Sequence, residues 1–145
     1  MSTTVLDTPS PRPAVQLSTT RLHVMRAGYL LMGVGLAVVK WPLLGEADTL
    51  PLYEGVVLCL LTAMSALALL GLRYPVKLLP LLIFESAWKV LWLTLVALPN
   101  ALNGTLDDAM TEIMVNCSLV VVVLAVIPWR HVWQSYVRAQ GDAWR

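Results

Sequence analysis

Four apolar stretches follow one another in a chain of 145 residues, each about 20 residues long and so able to cross a hydrocarbon core of ~30 Å as a helix. They run over about 22–44, 53–72, 76–98 and 110–127. Turn-forming residues fall between them: Pro42, Gly45 and Pro51, then Arg73-Tyr74-Pro75, then Pro99-Asn100 with Asn103-Gly104, and Pro128 after the last. Four such helices in so short a chain leave no polar faces with which a soluble bundle could wrap them. Hydrophobic residues make up 58% of the chain and charged residues 13%, against roughly 45–50% and about 25% in soluble domains. The balance argues against a soluble enzyme, a disordered tail and a nucleic-acid-binding module, the last of which needs a strongly basic face that a net charge of +1 does not supply. Two cysteines exclude a disulfide-rich secreted scaffold.

The basic residues are sorted. Arg12, Arg21 and Arg26 precede or open the first span, Arg73 and Lys77 flank the middle connection, and Arg130, Arg138 and Arg145 follow the last span. The other two connections and their flanks hold Glu46, Asp48, Glu54, Asp107, Asp108 and Glu112, with no Lys or Arg in the connections themselves. The positive-inside rule then places both termini in the cytoplasm. The fold class expected is all-α: an integral membrane four-helix bundle, N-in/C-in. Residues 1–21, with Pro9, Pro11 and Pro13, read as a disordered cytoplasmic tail; 22–128 as the four-transmembrane-helix domain; 129–145 as a cytoplasmic interfacial amphipathic helix and tail. No cleavage site follows the first apolar stretch, which is expected to stay as a signal anchor. In the last segment Trp129, Val132, Trp133, Tyr136 and Val137 recur at helical spacing, with Arg130, His131, Gln134, Ser135 and Arg138 opposite. That pattern is an interfacial anchor, its cations toward anionic lipid, with a partner-docking helix as the lesser reading.

Glu85 and Lys89 sit well inside the third span. Each charge costs about 2.5–3.5 kcal/mol at a helix centre. Lys89 lies nine residues from the expected outer end of its span, or ~14 Å, beyond comfortable snorkelling. Glu85 stands four residues N-terminal to it, the favoured order for a helical ion pair, and Trp88 and Trp92 complete the stripe. Such a stripe should face the bundle interior. Glu54, Glu112 and Asn116 fall in the outer parts of the second and fourth spans, and with Lys40 and Lys89 they are expected to form a polar cluster in the outer half. Two readings follow: a neutral Glu–Lys network that fixes helix packing, or a site open to the outside for a proton or a small polar or cationic solute. The first leads.

Weaker signals complete the reading. Cys59 and Cys117 fall at similar depth on different spans, without a C-x-x-C motif, and read as free thiols before a redox pair. His23 and His131 both lie near the inner face; a haem could use two such imidazoles, yet interfacial histidines without a cofactor are commoner. Asn103-Gly104-Thr105 fits a glycosylation acceptor for a eukaryotic source only. Gly33 and Ala37 give a small-xxx-small spacing for close helix contact. Pro42, Glu54, Cys59 and Arg73 are echoed by Pro99, Glu112, Cys117 and Arg130, the pattern a duplicated hairpin would leave. No phosphate loop, metal-ligand cluster or Ser-His-Asp set is present, so no catalytic residue, metal or cofactor is expected and an enzyme is disfavoured. The partners expected are the lipid bilayer and a second copy or a membrane-complex partner, not nucleic acid.

The run Arg73-Tyr74-Pro75, Leu79-Pro80-Leu81-Leu82, Phe84-Glu85, Trp88-Lys89 and Trp92, followed by Ile127-Pro128-Trp129-Arg130, resembles a group of small bacterial four-span membrane proteins without an ascribed activity. The resemblance implies a bacterial inner-membrane protein. In size and layout the chain is similar to DoxX-like membrane proteins, some of which are linked to quinone-dependent respiratory or redox complexes, which implies as a further alternative a quinone- or haem-linked redox subunit. Small multidrug transporters are also four-span, but their essential carboxylate is in the first span, whereas here the deep carboxylate is in the third beside a lysine.

Overall fold

A computed structural model describes residues 17–139. The proline-rich part of the N-terminal tail and residues 140–145, including Arg145, lie outside the described residues. The chain forms four long helices, α1 (Thr19–Glu46), α2 (Leu52–Gly71), α3 (Leu79–Asn103) and α4 (Asp108–Val126), each long and apolar enough to cross a membrane. A short α5 (Trp129–Val132) runs on into one π turn, Trp133–Val137. Consecutive helices pack side by side and α4 returns to α1, closing an up-down-up-down ring. One end of the bundle therefore gathers the start of α1, the α2–α3 turn and α5, with Arg21, Arg26, Arg73, Lys77, Arg130 and Arg138. The other end gathers Glu46, Asp48, Glu54, Asp107, Asp108 and Glu112. These are called the basic and acidic ends below.

Local chemistry sets the helix limits. Ser18 caps α1 by accepting from the Arg21 N–H at 3.3 Å, and Asp107 caps α4 by accepting from the Met110 N–H at 2.7 Å. Pro42 tightens the last part of α1 into a 3₁₀ turn over Trp41–Glu46. Pro80 lacks an N–H and must sit in a first turn, so α3 begins at Leu79 and not at 76. At its far end α3 runs through Pro99 to Asn103, beyond the expected limit at 98. A π turn over Leu93–Ala97 widens the backbone just before the proline, and the Asn100 Nδ2 donates to the Val96 carbonyl at 2.8 Å. Gly104, at φ 67°, then ends the helix in the left-handed conformation, its N–H returned to Asn100 and Ala101.

The core sits toward the basic end: Met25, Tyr29 and Met32 of α1 meet Ala68 of α2, Leu79 and Leu82 of α3, and Val123, Val126 and Ile127 at the end of α4. Close backbone approach makes this possible. Gly71 lies directly under the Tyr29 ring, Gly33 under Leu69, and Gly28 under Val126. Polar side chains fix the register. The Tyr29 hydroxyl donates to the Pro75 carbonyl at 2.9 Å, Ser65 Oγ to the Gly33 carbonyl at 2.7 Å, and Arg26 Nε to the Leu72 carbonyl at 3.1 Å. The small-xxx-small signal at Gly33 is thus used within the protomer, between α1 and α2.

Elsewhere the helices turn apolar side chains outward. Only 22–33% of each apolar window is buried within the bundle, and Val38, Leu52, Leu95 and Leu102 are 69–78% exposed. A soluble helix would carry polar groups there; hydrocarbon is the solvent that suits them. The chain is a multi-pass membrane protein.

The Tyr29 seat makes a sharp test. A Cβ at position 71 would fall on the Tyr29 ring, whereas one at Gly35 meets nothing within 4 Å. Gly71→Ala is expected to lose about 1–3 kcal/mol of stability by overpacking, and Gly35→Ala to lose none, in denaturant unfolding of the detergent-solubilised protein.

Candidate intramembrane polar site

The second turn of α3 places Glu85 on the face turned into the bundle, among Leu82 and Ser86. Its side chain is 1% exposed. Both carboxylate oxygens are occupied from the same helix: Lys89 Nζ lies 2.8 Å from Oε1, and Trp88 Nε1 donates to Oε2 at 2.7 Å. The Lys89 ammonium also lies 5.6 Å from the centroid of the Trp88 ring. Helical spacing explains the unit. Positions three and four residues on from Glu85 are its neighbours on the helix surface, so neither partner needs another helix to reach the carboxylate. Trp92 is half-buried one turn further on and takes no part in the hydrogen-bonded unit. On the neighbouring helix Cys117 of α4 is buried, and α3 packs against α4 on this side of the bundle. Beside it α4 tightens at Leu119, whose N–H returns to Asn116, while Ser118 Oγ donates to the Met114 carbonyl at 2.7 Å.

The wider cluster expected in the outer half is not assembled. Glu54, Glu112 and Asn116 are exposed and Lys40 is half-buried. Among the described residues Glu85–Lys89 is the only ion pair. Two physical reasons account for this. On α4, Glu112 and Asn116 share the outward stripe, while Cys117, Val120 and Val123 turn inward. On α3, the helix continues to Asn103, so Lys89 lies fourteen residues, or ~21 Å, from the acidic end. The pair, centred on position 87, therefore lies about one turn to the basic side of the middle of its helix, whereas it fell at the middle of the expected span. Lys40 and Glu54 instead line a groove of about 300 Å³ at the acidic end, with Leu43, Leu50, Tyr53, Val57 and Leu58. None of Glu85, Trp88 and Lys89 lines that groove.

The remaining sequence candidates have plain surroundings. Cys59 is exposed on α2, Cys117 is buried on α4, and both are free thiols. His23 Nδ1 is hydrogen-bonded to the Thr19 carbonyl at 2.8 Å, and His131 Nε2 lies 3.3 Å from Ser135 Oγ. Among the described residues no group of three His, Cys, Asp or Glu side chains is placed to hold a metal. At the basic end Trp129, Trp133, Tyr136, Arg130 and Arg138 are exposed, but Trp129 Nε1 donates to the Leu124 carbonyl at 2.9 Å and Val132 packs on the core. The π turn over Trp133–Val137 shifts the register on which a 3.6-residue stripe depends. The interhelical bonds of Tyr29, Ser65 and Arg26 were not legible as such. Their only signal was the presence of polar groups in or beside apolar spans, each needing an acceptor. Comparison with protein-family models, with curated proteins and with solved structures gives no match.

The buried pair makes its own prediction. Lys89→Met would leave a carboxylate that is 1% exposed with one indole N–H, and is expected to lose about 3–5 kcal/mol of stability. The double variant Glu85→Gln/Lys89→Met removes both charges and is expected to recover most of that loss, read by the same denaturant titration.

Proposed function

We propose that this chain is a non-enzymatic accessory or structural component of a bacterial inner membrane, with both termini cytoplasmic. The observation that carries the reading is the state of Glu85: buried, with one oxygen on Lys89 and the other on Trp88, all from one helix. Such a unit is neutral as a whole. It lets α3 enter hydrocarbon without an isolated charge and sets its rotation toward α4. A carboxylate whose two oxygens already have donors, and which does not line the groove at the acidic end, is poorly disposed to exchange a proton or take a cation. The outward apolar faces leave room for a second copy or a membrane-complex partner. The resemblance of the Arg73–Arg130 signature to small bacterial four-span proteins supports the inner-membrane assignment, and the sorting of basic and acidic ends supports the orientation.

The alternative is a carrier that couples transport to Glu85 and Lys89. Its supporting observation is that Lys89 has three donors and a single carboxylate partner. The two readings separate in proteoliposomes with a pH-sensitive dye inside and an imposed pH gradient. Wild type and Glu85→Gln are expected to leak protons at the rate of empty vesicles. Proton flux through wild type that Glu85→Gln abolishes, with the variant still folded by circular dichroism, would replace the structural reading by the carrier. Orientation has a separate check: a reporter active only in the cytoplasm, fused after Arg138, is expected to be active, and one inserted at Gly104 silent.

A further inference from the structure

We propose that the groove at the acidic end is a binding site for the headgroup of a zwitterionic phospholipid with a primary ammonium, its phosphate on Lys40 and its ammonium on Glu54. This is independent of the role of Glu85.

Three observations converge on the groove. The first is its charge. Lys40 and Glu54 line the same space of about 300 Å³, yet they are not ion-paired with each other, the only such pair among the described residues being Glu85–Lys89. Two opposite charges that face one groove without neutralising each other match a ligand that carries both signs. The second is depth. Tyr53 opens α2 and is 82% exposed, Trp41 lies 44% exposed on α1, and Tyr74 follows the far end of α2. The twenty residues of α2 span ~30 Å between those aromatic levels, the thickness of a hydrocarbon core. Tyr53 and Trp41 then mark the headgroup level, and the groove lies there. The third is the floor. Leu43, Val57 and the almost fully buried Leu58 continue the groove with apolar surface, which suits a glycerol backbone and the start of an acyl chain.

The same geometry sets specificity. A glycerol headgroup meets Lys40 through the same phosphate but brings no positive charge to the Glu54 carboxylate. A choline headgroup has no N–H to donate to Glu54. A primary ammonium beside a phosphate serves both residues, with charge-assisted hydrogen bonds at each end.

The full chain in mild detergent is titrated with phosphatidylethanolamine, phosphatidylcholine and phosphatidylglycerol of one acyl composition, and bound lipid is counted by native mass spectrometry. Phosphatidylethanolamine is expected to bind about tenfold more tightly than the other two, and Lys40→Gln and Glu54→Gln each to lose about tenfold, the size of one charge-assisted contact. Arg73→Gln, at the opposite end, should leave binding unchanged. Equal binding of the three lipids overturns the proposal, as does a preference for phosphatidylglycerol that survives Glu54→Gln. Glycerophosphoethanolamine is added in a second arm: displacement of the lipid at equal concentration assigns the groove to a soluble phosphoester and overturns the lipid assignment. The comparison of three lipids on wild type stands even if a variant fails to fold.

Discussion

The seat of Tyr29 on Gly71 is the contact on which the rest of the bundle depends. An aromatic ring can lie against a helix backbone only where the helix offers no Cβ, and Gly71 is that gap. The phenol then finds the Pro75 carbonyl in the turn that joins α2 to α3. One side chain thus joins α1 to the end of α2 and to the entry of α3. With that point fixed, antiparallel register brings Gly33 to Ser65 and Leu69, and Arg26 to the last carbonyls of α2. Val126 comes down on Gly28 and closes the ring from the other side. In hydrocarbon there is no water to drive helices together, so close contact and shared hydrogen bonds must hold them. Both are concentrated at the basic end.

That concentration explains where an expensive charge is tolerated. Glu85 stands one turn beyond Leu82, at the limit of the well-packed region, where its neighbours are fixed. Burying two charges has a desolvation cost that their attraction repays only when geometry is good and the remaining lone pairs are used. The i, i+3 and i, i+4 positions supply that geometry from within α3. An interhelical pair would have to wait for assembly, with each charge exposed to lipid in the meantime. An intrahelical pair is complete as soon as the helix forms, and assembly then has only to cover it.

The four spans were legible because hydropathy and length report directly on the solvent a helix faces. The Glu85–Lys89–Trp88 spacing was legible because it belongs to one helix and needs only the helical repeat. What failed was what depends on rotation and on exact limits. The position of Pro99 marks an end only if the backbone cannot widen, and the π turn at Leu93–Ala97 lets it continue, moving the acidic end of α3 by a turn. Glu112 and Asn116 look like site residues when depth alone is counted, yet their outward position follows from Cys117 and Val120 taking the seam. That Lys40 and Glu54 would come together in the outer half was legible from depth and charge, but the groove they line was not, since it arises from the 3₁₀ turn at Pro42 and the path of the connection to α2.

Lys40 and Lys89 show how position assigns different physics to one residue type. Lys40 adjoins Trp41 and is six residues from Glu46, or ~12 Å of 3₁₀ helix, close to the polar boundary. Its charge stays hydrated and free for an outside partner. Lys89 is ~21 Å from its own acidic end and is tied to a carboxylate and an indole of the same helix. Exchanging the two environments would strand one charge and waste the other. The charge that lies deep must be satisfied by the chain itself, and the charge at the boundary need not be. A ligand-accepting surface is therefore to be sought at the acidic end, where Lys40 and Glu54 remain unpaired, and the fixed framework in the buried half, where both oxygens of Glu85 already have their donors.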